Sequence, residues 1–260
     1  MGVYELRWYS ILFATGFLIS YLFLIQKIYR DEGKPMEDAD SLLFYSVIPT
    51  VIGARLGHVI FYEPHWITQD PLQIFKVWEG GLASHGAAIA LPFALWIFSK
   101  VHPSQPFLWV LDRVCLCTAF TGSLIRVGNF CNSELIGTPT DVPWGVKFLL
   151  VDNVARHPVQ LYEAFGYFII FLVMLFIYRK YKDKTPHGLL SGIFLLTVFS
   201  QRIAMEFFKT TQSQYLIGSP LDMGQILSIP VVLVGIFLIY YSLNHPVTAT
   251  PAAKPAKKAK

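Results

Sequence analysis

Apolar residues run along this chain in long blocks, each closed by a short stretch carrying charge, glycine or proline. The blocks occupy residues 9–25, 42–61, 82–98, 107–125, 159–178, 189–208 and 223–243. A helix needs about 20 apolar residues to cross a bilayer core, and only a helix satisfies its backbone polar groups as a single segment in lipid. The pattern predicts an all-α, polytopic membrane helix bundle with seven transmembrane helices. Gly86 and Pro92 interrupt the third block.

Basic residues give the bundle a direction. Lys27, Arg30 and Lys34 follow the first block, Lys100 the third, Arg179, Lys180, Lys182 and Lys184 the fifth, and a lysine tail the seventh. Cytoplasmic loops collect lysine and arginine, so the C-terminus is predicted to be cytoplasmic and the N-terminus outside. The intervening loops, 62–81, 126–157 and 209–222, are poorer in basic residues and carry Trp66, Trp78, Trp144 and Tyr215, as suits an interface. The start shows no small-residue cleavage site, so the first block is expected to remain as a membrane helix. One transmembrane domain is expected over 1–245, with a disordered basic cytoplasmic tail over 246–260.

Composition agrees with this reading and removes others. With 54% hydrophobic and only 15% charged residues, the chain is too apolar for an ordinary soluble domain. Its net charge of +4 is accounted for by Lys254, Lys257, Lys258 and Lys260, so no nucleic-acid partner is expected. Cys115 and Cys117 sit inside an apolar block and Cys131 stands alone, which makes neither a disulfide framework nor a metal-ligand spacing. No cofactor and no metal are expected.

Once each helix has a direction, the depth of every unusual polar residue follows. Arg7 and Tyr9 begin the first helix at the outer side, Arg55 lies in the outer half of the second, His85 opens the third and Arg126 closes the fourth. His157, Gln160 and Glu163 open the fifth, and Arg202 and Glu206 close the sixth. Charged groups in membrane helices are costly and usually functional, and here several segments converge on one layer. The inner halves read as apolar. Arg202 and Glu206, four apart, lie on one helix face and can pair. Arg55, between Gly53 and Gly57, reads as a residue that holds helices together. His85 follows a glycine-rich run that leaves room for a ligand, and its imidazole titrates where a proton acceptor works well.

The densest stretch is 125–137, where Arg126, Asn129, Asn132 and Glu134 stand within one glycine-spaced segment. Guanidinium groups bind phosphate in bidentate fashion, so two arginines facing a membrane surface suggest an anionic phospholipid headgroup. Asn129 and Asn132 can donate to its oxygens or serve as caps and turns. Glu134 and Glu206 read as carboxylates that orient the arginines.

The segment Arg126-Val127-Gly128-Asn129-Phe130-Cys131-Asn132-Ser133-Glu134-Leu135-Ile136-Gly137 resembles the signature of bacterial prolipoprotein diacylglyceryl transferases. Further blocks fall in family order: Trp8-Tyr9, Gly53-Ala54-Arg55-Leu56-Gly57, the run from Trp78 to Gly86, Pro139 to Gly145, Arg156 to Glu163, Arg202 to Phe208 and Met223 to Pro230. The resemblance spans nearly the whole chain up to the tail. It departs at Ile125, where the family usually has glycine, at Ala87, and at Thr138, where an arginine is common.

The resemblance implies transfer of the diacylglyceryl group of phosphatidylglycerol to the lipobox cysteine of a preprolipoprotein, forming a thioether and releasing glycerol phosphate. It implies an enzyme of the bacterial inner membrane with its site toward the periplasmic face. His85 is then expected to accept or relay the thiol proton, and Arg126 and Arg202 to hold the phosphate. Asn129, Glu134 and Glu206 are expected to fix that arrangement, with Tyr9 and Gly137 close to the substrate. Two rivals remain on residues alone. A seven-helix transporter or receptor would need polar groups continuing toward the cytoplasm. An intramembrane serine protease would need a second glycine that Thr121-Gly122-Ser123-Leu124 lacks.

Overall fold

The computed structural model describes residues 8–77, 80–209 and 223–247. Arg7, Trp78, Tyr215 and the lysines of the tail lie outside them. Seven helices are long and apolar enough to cross a membrane. We number them α1 (Trp8–Asp31), α2 (Met36–Tyr62), α3 (Ser84–Val101), α4 (Phe107–Cys131), α5 (Val159–Tyr181), α6 (Leu189–Glu206) and α7 (Met223–Asn244). Their start signals are local. Pro35, Pro106 and Pro158 stand immediately before α2, α4 and α5, and Glu37 and Asp38 place negative charge at the positive end of α2.

Two boundaries differ from the apolar blocks in ways that matter. Helix α1 continues past Ile25 to Asp31 through a π-helical stretch, Ser20–Ile25, which brings Glu32 to the inner end of the bundle. Helix α4 continues past Ile125 to Cys131. Arg126 and Asn129 therefore sit on its last turns and are aimed by a helix instead of a loop. Gly128 is tolerated there because α1 crosses close by: a Cβ at Gly128 would lie 2.9 Å from the Tyr9 Cα.

Small residues draw α2 and α3 together, and a Cβ at Gly86 would fall 2.1 Å from the Gly53 carbonyl oxygen. The apolar core lies toward the end of the bundle where α4 and α6 begin, with Leu42, Leu95, Phe98, Trp109 and Val110 packed in one group and Leu116, Met174, Tyr178 and Leu190 in another. Phe44, Ile48, Phe93, Leu172 and Phe237 point outward, as a lipid-facing belt requires.

The expectation of apolar inner halves is overturned. Arg113 and Asp112 of α4 are completely buried. Arg113 Nη2 donates to Glu32 Oε1 at 2.7 Å, Trp109 Nε1 donates to Glu32 Oε2 at 2.8 Å, and the guanidinium lies 4.4 Å from the Trp109 ring centre. Asp112 accepts from the Gly188 and Ser191 backbone N–H groups, each at 2.8 Å, and from the Ser191 hydroxyl at 2.6 Å. It thereby caps α6, whose preceding Gly188 takes a positive φ of 93°. Nearby, Tyr29 donates to Gln105, which donates to Asp38 Oδ2 at 2.6 Å. These groups partner one another and join α1, α2, α4 and α6.

Between α4 and α5 a two-stranded antiparallel ribbon, β1 (Val146–Lys147) and β2 (Ala155–Arg156), stands outside the bundle. Arg55 holds a loop, where bundle packing had been expected. Its Nε donates to the Ile74 carbonyl at 3.0 Å, the terminal nitrogens reach the carbonyls of Gln73, Gly80 and Gly81, and the Trp66 ring lies 5.0 Å away.

Candidate active site

The C-terminal ends of α4 and α6 and the N-terminal end of α5 converge on the Glu163 carboxylate. It is 1% exposed, on the first turns of α5. Arg126 Nε, from the last turns of α4, lies 3.1 Å from Glu163 Oε2, and Lys209 Nζ, just beyond α6, donates to Glu163 Oε1 at 2.7 Å. Glu206 Oε2 lies 3.7 Å from the same ammonium. The Tyr167 ring, one turn along α5, is 5.9 Å from the Arg126 guanidinium. A buried carboxylate between two cations, in a site of low dielectric, holds both side chains in fixed positions. Two cations, Arg126 and Lys209, and two carboxylates, Glu163 and Glu206, thus meet in one cluster.

The loop after α4 is pinned by Glu134. Asn129 Nδ2 donates to Glu134 Oε2 at 2.9 Å and Asn132 Nδ2 to Glu134 Oε1 at 3.1 Å. Gln160 Nε2, from α5, donates to the Glu134 backbone carbonyl at 2.6 Å. These bonds hold Ser133 and Leu135 at a positive φ of 56°, a conformation that L residues adopt only when their surroundings enforce it. Gly137 lies against the His157 carbonyl, where a Cβ would come within 2.3 Å, and forms an antiparallel bridge with Lys209. The Gly137 carbonyl accepts from Arg156 Nη1 at 3.1 Å. Glycine is required at that position by space alone.

The expected site residues separate into three sets. Arg126, Asn129, Glu134, Gly137 and Glu206 share one connected region, and Tyr9 packs on it through Gly128. Arg202 is half-buried and forms no hydrogen bond or ion pair among the described residues, so the expected Arg202–Glu206 pair is not made. Glu206 turns toward Lys209 because that ammonium sits between it and Glu163. His85 stands apart, on the first turn of α3, edge-to-face with Phe61 at 5.0 Å and 5.9 Å from the Tyr62 ring. It lines an open cavity of about 310 Å³ with His58, Tyr62 and Ser84. Among the described residues no hydrogen bond, ion pair or ring contact joins it to the Arg126 region.

Glu163 and Lys209 are the members that sequence reasoning passed over. From the sequence Glu163 reads as one polar residue of the outer layer, and Lys209 as the start of the 209–222 loop. The signal for Lys209 was its spacing three residues after Glu206, the distance at which side chains meet on one helical turn.

Comparison with known proteins gives a consistent answer. The family model for prolipoprotein diacylglyceryl transferase matches residues 1–241. A protein of Tolumonas auensis is 50% identical over 245 residues, covering 94% of each chain. One of Chloroherpeton thalassium is 46% identical over 245 residues, 94% of this chain and 91% of its own. One of Porphyromonas gingivalis is 40% identical over 255 residues, 93% of this chain and 90% of its own. All three carry the name phosphatidylglycerol–prolipoprotein diacylglyceryl transferase.

Proposed function

The chain belongs to the prolipoprotein diacylglyceryl transferase family, and from that premise we propose how its own side chains carry the reaction. It is a multi-pass membrane transferase that moves a diacylglyceryl group from phosphatidylglycerol to a prolipoprotein, the first step of lipoprotein maturation. The acceptor is the lipobox cysteine thiol, and the site faces the periplasm. The basic residues at the Lys27, Lys100 and Lys180 ends of the helices support that orientation.

The reaction needs a thiolate to attack carbon and a phosphate to leave. The sulfur of the substrate cysteine attacks the glycerol carbon that bears the phosphate ester, a C–S bond forms, and the C–O bond to phosphate breaks. The thiol proton passes to the His85 imidazole, and glycerol phosphate departs with the bonding electrons. A thiol ordinarily titrates near 8.5, so a positioned base raises the thiolate fraction at neutral pH. Arg126 and Arg202 hold the phosphate and stabilise its growing charge, and Lys209 adds a cation that shares Glu163 with Arg126. Glu163 fixes Arg126 and Lys209, Glu206 faces Lys209, and Asn129 and Glu134 keep the α4 loop in register. Tyr9 and Gly137 border the headgroup.

The observation that supports this reading best is the Glu163 bridge, which draws three separate blocks of the chain together and positions Arg126 and Lys209. The test is a reaction of purified protein with phosphatidylglycerol and a lipobox peptide, following glycerol phosphate release and peptide mass. A diacylglyceryl mass increase that vanishes in Arg126→Ala supports the reading. Absence of product from folded, lipid-binding protein overturns it.

A further inference from the structure

The ribbon between α4 and α5 ends in a turn that is rigid and apolar at once. Leu149, Leu150 and Val151 follow one another with 79%, 82% and 52% of their surfaces exposed. The turn is not loose chain. The Val151 backbone N–H donates to the Phe148 carbonyl at 2.7 Å, and Phe148 is buried against Phe130, 5.7 Å between ring centres, at the end of α4. Asp152 takes Arg156 Nη2 at 2.6 Å, and this guanidinium holds the Asp152 carboxyl below its ordinary range.

Two features point to the occupant. Trp144, largely exposed, donates its indole N–H to the Tyr162 hydroxyl at 2.7 Å, on the first turn of α5. An exposed indole at a helix mouth sits where aromatic residues meet headgroups, so the ribbon's stem is at the membrane boundary. The three aliphatic side chains are also consecutive. A turn projects consecutive residues in different directions, so no single groove covers them, whereas hydrocarbon surrounds them on every side. Exposed Lys147 stands next to the turn and matches the charge of an anionic phospholipid headgroup.

We propose that the turn 149–151 inserts into the outer leaflet and anchors the ribbon there. Arg156 joins that anchor to the site, because the guanidinium that holds Asp152 also donates to the Gly137 carbonyl. Insertion of the turn thus fixes the height of the Gly137 segment over the lipid. The inference rests on the orientation given under Proposed function, and its first test does not depend on activity.

Leu150→Cys in a Cys131→Ser background carries an environment-sensitive fluorophore, with the protein in nanodiscs containing phosphatidylglycerol; Asp141→Cys is the reference. The expected result is a blue-shifted emission at position 150, quenched by spin-labelled lipid and protected from iodide, with the opposite pattern at 141. Iodide quenching at 150 equal to that at 141 overturns the proposal. Protection that appears only when a lipobox peptide is added also overturns it, in favour of a peptide-docking turn. As a second arm, Leu149→Ser/Leu150→Ser is expected to raise the KM for phosphatidylglycerol in nanodiscs several-fold and leave turnover of a water-soluble short-chain analogue unchanged. Equal loss on both substrates overturns the anchoring role. An inactive wild-type protein whose label still inserts leaves the anchor standing and defeats the transferase mechanism alone.

Discussion

Arg126 and Glu163 meet at 3.1 Å, Nε to Oε2, while the other carboxylate oxygen takes Lys209 at 2.7 Å. The buried anion does not neutralise the site; it aligns two cations that would otherwise repel one another. Removing it leaves Arg126 and Lys209 without their shared counter-charge. Glu163→Gln is therefore expected to cost about 3 kcal/mol of stability and to raise the KM for phosphatidylglycerol. Denaturation in detergent and initial rates check this, and a variant with unchanged melting and unchanged KM would refute the bridge as an organising contact.

His85→Gln separates proton transfer from orientation. If His85 takes the thiol proton, the variant loses most of its rate, and the pH dependence of what remains differs from that of the wild type. Near-normal turnover across the pH range would remove His85 from the chemistry.

The inner lattice predicts a different kind of phenotype. Arg113→Ala strands the Glu32 carboxylate in a buried place and is expected to destabilise the protein by about 3–5 kcal/mol, with the KM of surviving enzyme unchanged. The double variant Arg113→Met/Glu32→Gln is expected to recover much of that loss. A raised KM in the single variant would tie the lattice to the site.

His187, in the short link before α6, gives a pH dependence. Burial, with repulsion from Arg113, lowers its pKa below the ordinary 6.5. Because the folded pKa is the lower one, the unfolded chain binds the proton first. This contribution to stability is whole above 6.5 and declines as pH falls below it, levelling off beyond the folded pKa. Between about pH 7 and about pH 5 the wild-type melting temperature is expected to fall further than that of His187→Gln. Equal falls would contradict the sign.

Orientation can be read by labelling. Thr68→Cys is expected to react with a membrane-impermeant maleimide in spheroplasts, and Asp183→Cys only after permeabilisation. The reverse pattern would turn the bundle over.

The apolar blocks made all seven helices legible, because desolvation leaves a chain of this composition no other way to cross lipid. The site was legible where charge breaks an apolar run, at Arg126, Glu134 and Glu206. It was illegible where charge hides inside one. Asp112 and Arg113 lie in a block whose average stays apolar, and Glu32, the partner of Arg113, is 81 residues away. Lys209 was lost for the opposite reason: it stands just past its block, where lysine reads as a solvated end. The fourth apolar block ends at Ile125, yet α4 runs on to Cys131, with Gly128 in contact with Tyr9.

The Glu32–Arg113 contact also bears on how the chain is made. Synthesis delivers the end of α1 before α4 leaves the ribosome, so the carboxylate is made before the guanidinium. Each charge alone opposes insertion, and the pair lowers that cost. The carboxylate that lowers the cost of Arg113 in the fourth segment thus belongs to a part of the chain that is translated earlier.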